Sequence, residues 1–257
     1  MGFCQFNGYP PFKIISYEGE FEKDMKSGYG ELLLDNGAVY NGQWHQDLES
    51  YGSFEGMGHK YMGYWRGKDM DIKGIYKNPD GKVYRGEIKN NKFVGEGEFI
   101  DKTQIIKGRF EDNMDLQENG RLSFMKGKIL TSELEYEGHI REGKPHGYGT
   151  MNWLNTGEVY EGYWENGIMH GEGNLKMEDL SVYFGGFMYG KFDGDGQIVE
   201  ADQSMIKGTF KQGIITGKGV YKYRPNNLEK REEYVGDFLN GKPHGFGTLK
   251  FMNGSLY

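Results

Sequence analysis

The chain has 257 residues, a net charge of −7 at neutral pH and only 36% hydrophobic residues. This composition supplies too little apolar surface for the thick two-layer core of an ordinary globular domain. The acidic balance argues against a nucleic-acid partner, because neutralising phosphates requires a basic stripe, and against unaided docking to anionic lipid headgroups.

Aromatic residues argue against disorder. They make up 15% of the chain, with 19 Tyr and 16 Phe, whereas disordered chains are poor in aromatics. The 43 glycines recur in phase with these rings. We therefore interpret the glycines as part of a regular architecture and not as flexible linker.

One phrase recurs about every 23 residues. It consists of Tyr, Gly two residues later, an aromatic or aliphatic residue two further on, and then a Gly-x-Gly pair. The positions that open it are Tyr17, Tyr40, Tyr61, Tyr84, Ile106, Tyr136, Tyr160, Tyr183, Ile206, Tyr234 and Tyr257. A fixed period of this length predicts a repeat array in place of one globular core.

The spacing of these opening positions divides the chain into a short N-terminal segment and a series of repeats. Residues 1–16 are predicted to be an N-terminal capping segment, and residues 17–257 to form ten repeats plus the start of an eleventh. Two steps between openers are longer than the rest, which predicts insertions near 106–135 and 206–233.

Each repeat is predicted to be a β-hairpin. Tyr160, Gly162 and Trp164 fall on one face of a strand, because strand side chains alternate with period two. The second strand carries Gly171 and Gly173. We expect Trp164 to lie opposite Gly171, and Gly162 opposite Gly173, so that a large ring covers a residue without a side chain.

Two other repeats carry the same pattern clearly. Their structural residues are Tyr136, Gly138, Gly147 and Gly149, and Tyr234, Gly236, Phe238, Gly245 and Gly247. Asn-Gly and related dipeptides separate the strands and favour tight turns. The predicted fold is therefore all-β: an elongated, twisted, single-layer antiparallel meander of hairpins.

From Tyr17 to Tyr257 the chain resembles the MORN (membrane occupation and recognition nexus) repeat family. The resemblance implies a non-enzymatic structural scaffold that mediates protein–protein interactions in a cytoskeletal or ciliary assembly, such as the radial spoke of an axoneme. It also implies a location in the cytoplasm, the cytoskeleton or the cilium. Two alternatives are a peripheral membrane tether or lipid-associated adaptor, and a regulatory subunit of an enzyme complex.

No catalytic constellation is visible in the sequence. It holds no phosphate loop, no nucleophile elbow and no zinc motif, so we expect no enzymatic activity, no cofactor and no metal. His146, His170 and His244 share one repeat position. Equivalent atoms in adjacent repeats are expected about 10 Å apart, too far for one ion, so packing is the expected role.

The first residues allow two interpretations. Gly2 and Cys4 could carry lipids, although Phe6 stands where myristoylation favours Ser or Thr. The alternative is a capping strand, with Pro10-Pro11 discouraging further pairing at that edge.

The other end is predicted to contact a partner, either a second copy or another protein of a larger assembly. An unpaired edge strand is a template for an added strand. The residues expected at this edge are Phe246, Leu249, Phe251 and Tyr257.

Overall fold

The computed structural model describes residues 13–65, 72–89, 92–115 and 124–257. Most of the predicted capping segment lies outside these ranges, together with Gly2, Cys4 and Pro10-Pro11. So does part of the predicted insertion near 106–135.

The described residues form 20 β-strands, which confirms the predicted all-β class. Through the first half of the chain the strands are β1 (Ile14–Glu22), β2 (Met25–Leu34), β3 (Val39–His45), β4 (Leu48–Gly56), β5 (His59–Tyr64), β6 (Ile72–Lys77), β7 (Val83–Lys89), β8 (Lys92–Ile100), β9 (Ile105–Asp115) and β10 (Phe124–Leu130). Through the second half they are β11 (Leu134–Arg141), β12 (Lys144–Trp153), β13 (Val159–Glu165), β14 (Ile168–Lys176), β15 (Val182–Met188), β16 (Lys191–Val199), β17 (Met205–Lys211), β18 (Ile214–Lys222), β19 (Arg231–Leu239) and β20 (Lys242–Phe251).

The strands belong to two compact units. The first unit runs to Thr131 and also holds Ile140–Gly143, and the second holds Ser132–His139 and Lys144–Tyr257. Within the first unit β1 to β10 pair antiparallel in chain order. Within the second unit β12 to β20 pair in the same way. The predicted antiparallel meander with one hairpin per repeat is therefore confirmed. No part of the chain that the structure describes forms a helix long and apolar enough to cross a membrane.

One glycine from each strand stands in register with a glycine of the next strand; we call this line the glycine file. In the first unit it contains Gly19, Gly30, Gly42, Gly52, Gly63, Gly74, Gly86, Gly97, Gly108 and Gly127. In the second unit it contains Gly138, Gly149, Gly162, Gly173, Gly185, Gly196, Gly208, Gly219, Gly236 and Gly247. The file passes through each strand at the same height, so within each unit it fixes the register of neighbouring strands.

The predicted pairing of Trp164 with Gly171 is wrong, whereas that of Gly162 with Gly173 is confirmed. Trp164 lies opposite Met169 within its hairpin, because a β-bulge shifts the register between Gly162 and Trp164. Gly171 lies in this bulge with φ of 67°, a left-handed conformation that residues with a Cβ adopt rarely.

The aromatic rings pack on one face of the strands, which we call the inward face. Tyr160 is fully buried there and makes edge-on contacts with the Trp164 ring, at 4.9 Å between centroids, and with the Phe187 ring, at 5.0 Å. Edge-to-face geometry at this spacing is favourable for aromatic pairs. Such ring contacts, within one strand and between the first strands of successive hairpins, supply the core that the low apolar content could not.

Candidate functional site

Seven of the phrase-opening tyrosines hold glycines of the file from the inward face: Tyr17, Tyr40, Tyr84, Tyr136, Tyr160, Tyr183 and Tyr234. A Cβ built on Gly162 or Gly173 would stand 2.4 to 2.7 Å from atoms of the Tyr160 phenol, so the ring occupies the space that side chains would need. The ring that covers the pair of Gly162 and Gly173 is therefore that of Tyr160. We call this arrangement the tyrosine clasp. The ring predicted to cover a glycine was that of Trp164, over Gly171, and this prediction is wrong.

Each clasp is closed by a hydrogen bond from the phenol to the backbone carbonyl three residues later. Tyr160 donates to Tyr163 at 2.9 Å. The same bond forms from Tyr17, Tyr40, Tyr84, Tyr136, Tyr183 and Tyr234, at 2.7 to 3.2 Å. A buried hydroxyl requires a partner, and this carbonyl, beside the bulge, provides it.

Burial raises the pKa of five of the clasp phenols. Desolvation raises the pKa of Tyr40 to about 12, and it also raises the pKa of Tyr84, Tyr136, Tyr160 and Tyr183. The hydroxyl therefore remains a hydrogen-bond donor at neutral pH. Within each clasp this hydrogen bond connects the ring to the backbone of the same strand.

Two repeats keep the glycine pair without a tyrosine, and their openers are Ile106 and Ile206. In the second of these repeats the Ile215 Cδ1 atom takes the place of the ring, 2.9 Å from where a Cβ of Gly208 or Gly219 would stand. An aliphatic side chain on the second strand thus substitutes for an aromatic one on the first.

The three equivalent histidines do not meet. His146 accepts a hydrogen bond from the Asn166 backbone at 3.5 Å, and His170 lies 3.7 Å from the Glu165 carboxylate. The described residues contain no group of three or more His, Cys, Asp or Glu side chains that could hold a metal ion.

The opposite face of the strands, which we call the outward face, carries exposed aromatic pairs. Tyr51 of β4 lies opposite Tyr64 of β5, with ring centroids 4.8 Å apart. Tyr148 of β12 lies opposite Tyr163 of β13 at the equivalent height, with centroids 5.4 Å apart. These rings lie next to the glycine file but on the side away from the clasps.

The outward rings retain much of their accessible surface. Tyr64 is 65% exposed and Tyr163 is 52% exposed. The Tyr148 hydroxyl donates to Glu161 at 2.9 Å, and this carboxylate raises the pKa of the phenol. Sequence reasoning missed both pairs because it followed only the positions that share a face with the openers. Their signal was an aromatic residue directly beside a glycine of the file.

The C-terminal residues partly cover the predicted partner edge. Leu249 of β20 exchanges two backbone hydrogen bonds with Tyr257, each 2.8 Å long, and the Phe251 amide donates to Ser255. Phe246 lies outside this pairing and is 87% exposed. Contact of this end with a partner stays a prediction, and its two most exposed residues are Tyr257, at 90%, and Phe246.

Comparison with known proteins agrees with this repeat geometry. The MORN repeat family matches residues 17–39, 84–104, 136–155, 160–179, 207–227 and 234–256. This chain is a MORN repeat protein. MORN repeats generally mediate interactions with proteins or with membranes.

The MORN protein described here is also similar to much longer proteins. It is 30% identical to Alsin of Rattus norvegicus over 144 residues, which cover 52% of this chain and 7% of the relative. It is 25% identical to Alsin of Homo sapiens over 189 residues, 71% of this chain and 10% of the relative. It is 30% identical to the ALS2 C-terminal-like protein of Homo sapiens over 115 residues, 45% of this chain and 10% of the relative. The matches thus span a tenth or less of each relative.

Proposed function

We propose that this protein is a non-enzymatic scaffold that binds other proteins through the outward face of its repeats. The observation that carries the proposal is the exposure of the Tyr51–Tyr64 and Tyr148–Tyr163 pairs on strands whose inward face is already packed. Tyrosine is enriched in protein interfaces because it combines a large apolar ring with a hydrogen-bonding hydroxyl.

The setting that we propose is a cytoskeletal or ciliary assembly in the cytoplasm, with other proteins or a second copy as partners. Support for this setting comes from the family resemblance alone. Fluorescent tagging in ciliated cells tests it, with labelling along the cilium or cytoskeleton as the expected result. Labelling confined to membranes would contradict the setting without affecting the scaffold role.

Site-specific photo-crosslinking tests the scaffold role. A benzophenone amino acid replaces Tyr64 in one variant and Tyr163 in another, and cross-linked partners are identified by mass spectrometry. Tyr189, which is 72% exposed in the turn between β15 and β16, is replaced in the control. We expect shared protein adducts at the first two positions that are absent at the third.

Two further measurements distinguish a protein scaffold from a membrane tether. Tyr64→Ala and Tyr163→Ala should reduce co-purification of the cross-linked proteins, whereas Tyr189→Ala should not. Purified protein should also fail to sediment with acidic liposomes at physiological salt. Lipid adducts at the outward tyrosines, together with co-sedimentation, would replace the scaffold by a membrane tether.

A further inference from the structure

A shallow groove crosses the outward face of β17 to β20. It has a volume of about 750 Å³, and Gly208, Gly219, Gly236 and Gly247 of the glycine file lie in its lining. Val220, Val235 and Phe246 make its apolar walls. Val235 is 46% exposed and Phe246 is 87% exposed, so both offer surface to a ligand.

Two lysines border the same groove. Lys207 of β17 and Lys218 of β18 lie in its lining. Lys218 also contacts the Asp237 carboxylate at 2.7 Å, which holds the pKa of that carboxyl below its usual range. Lys207 is exposed on the neighbouring strand. The groove therefore combines an apolar wall with the charge of Lys207 and with a Lys218 ammonium that Asp237 partly neutralises.

Charge is segregated along the second unit. Residues 205–257 contain nine Lys or Arg against four Asp or Glu, a net charge of +5. Residues 144–204 contain three Lys or Arg against ten Asp or Glu, a net charge of −7. The groove thus lies in a basic segment of an otherwise acidic chain. This potential attracts an acidic ligand and repels a basic one.

We propose that this groove binds an extended, acidic segment of a partner protein in which carboxylates alternate with large apolar side chains. The apolar side chains would pack between Val235 and Phe246, and the carboxylates would reach Lys207 and Lys218. An extended segment suits the site because the groove runs across four strands, from Lys207 of β17 to Phe246 of β20. The proposal rests on the scaffold function and names the chemistry of one partner.

Fluorescence anisotropy with defined peptides tests the proposal. The probe is a fluorescein-labelled ten-residue peptide of glutamates alternating with leucine and phenylalanine, and the control peptide has lysines in place of the glutamates. We expect the intact chain to bind the acidic probe only, with binding that weakens as salt is raised. Phe246→Ala and Lys207→Glu should each weaken binding about tenfold.

Two control variants test whether loss of an apolar side chain, or reversal of a charge, weakens binding when it lies outside the groove. Leu228→Ala removes an apolar side chain that is 95% exposed in the connection between β18 and β19, and Lys191→Glu reverses a charge on β16. Neither should change the affinity. Circular dichroism confirms folding of every variant, which is expected since Phe246 and Lys207 are both exposed.

Three outcomes would overturn the proposal: no binding of the acidic probe, equal binding of the lysine peptide, or an affinity that Phe246→Ala and Lys207→Glu leave unchanged. Dimerisation that Phe246→Ala abolishes, without peptide binding, would assign the groove to a second copy. Protein cross-links at Tyr64 and Tyr163 do not depend on this groove. They would persist if only this inference failed, and they would be absent if the scaffold function itself failed.

Discussion

The phenol of Tyr160 donates a hydrogen bond to the carbonyl of Tyr163, and between these two residues the chain passes through Gly162 of the glycine file. The bond ties an inward ring to the backbone of a residue whose own ring faces outward. Packing on one face thereby orients a side chain on the other. The stability of the clasp and the geometry of the outward surface are consequently linked.

Removing one hydroxyl tests the hydrogen bond of the clasp. Tyr160→Phe retains the ring over the glycines but leaves the Tyr163 carbonyl without this donor. We expect a loss of about 1 kcal/mol in the free energy of unfolding, the usual net value of such a bond. Urea denaturation followed by tryptophan fluorescence measures it, with the exposed Tyr189→Phe as the control. Equal stability of the two variants would show that the bond contributes nothing.

Two glycines of one strand should respond differently to asparagine. Gly173→Asn places a Cβ against the Tyr160 ring and should cost about 1 to 3 kcal/mol, as overpacking does. Gly171→Asn should be tolerated much better, because asparagine adopts positive φ readily and the nearest atom to its Cβ is 3.4 Å away. Gly171→Val remains damaging, but because a β-branched residue resists this φ. Thermal melts of the three variants decide the order, and a Gly171→Asn variant as unstable as Gly173→Asn would refute it.

Truncating the buried side chain of Trp164 should greatly reduce the stability of the fold. Trp164 is 4% exposed, packs edge-on against Tyr160, and donates from Nε1 to the Gly149 carbonyl at 3.1 Å. Trp164→Ala should destabilise by about 3 to 5 kcal/mol. Backbone amides of β12 to β14 should exchange hydrogen faster in Trp164→Ala than in Trp164→Phe, because phenylalanine preserves much of the ring contact. Exchange unchanged in these strands would mean that neighbouring rings fill the space.

High pH should unfold the protein through its buried tyrosines. Burial raises the pKa of Tyr40 to about 12 and that of Tyr160 well above its usual range. Unfolded tyrosine ionises near pH 10, so between about pH 10 and 12 the folded chain holds protons that the unfolded chain has lost. The stabilising contribution is therefore complete below about pH 10 and declines as the pH rises above it.

Tyrosinate absorbance and far-ultraviolet circular dichroism, recorded during one alkaline titration, check this expectation. The buried phenols of Tyr40 and Tyr160 should ionise together with unfolding. Complete ionisation of an intact sheet would contradict the assigned burial.

The fold was predictable from the sequence because the period of Tyr and Gly directly encodes the hairpins. The residues that each aromatic ring contacts could not be predicted in the same way. Alternation placed Tyr160, Gly162 and Trp164 correctly on one face, but the bulge at Gly171 added residues that only the backbone conformation reveals. The basic groove was missed because Lys207 and Lys218 are separated in sequence and meet only through the pairing of β17 with β18.

The glycine file has a consequence for how such a chain can change length. Both strands of a hairpin pair with the neighbouring hairpins through a glycine at the same height, as Gly162 and Gly173 do. The pairing on one side of a hairpin is therefore equivalent to the pairing on the other side. Deleting β13 and β14 as a block would bring Gly149 of β12 against Gly185 of β15 without a register slip. Deletion or duplication of a whole hairpin should therefore preserve the register of the strands on either side. A change in repeat number would then alter the distance between outward-facing surfaces without any change in how the strands pair.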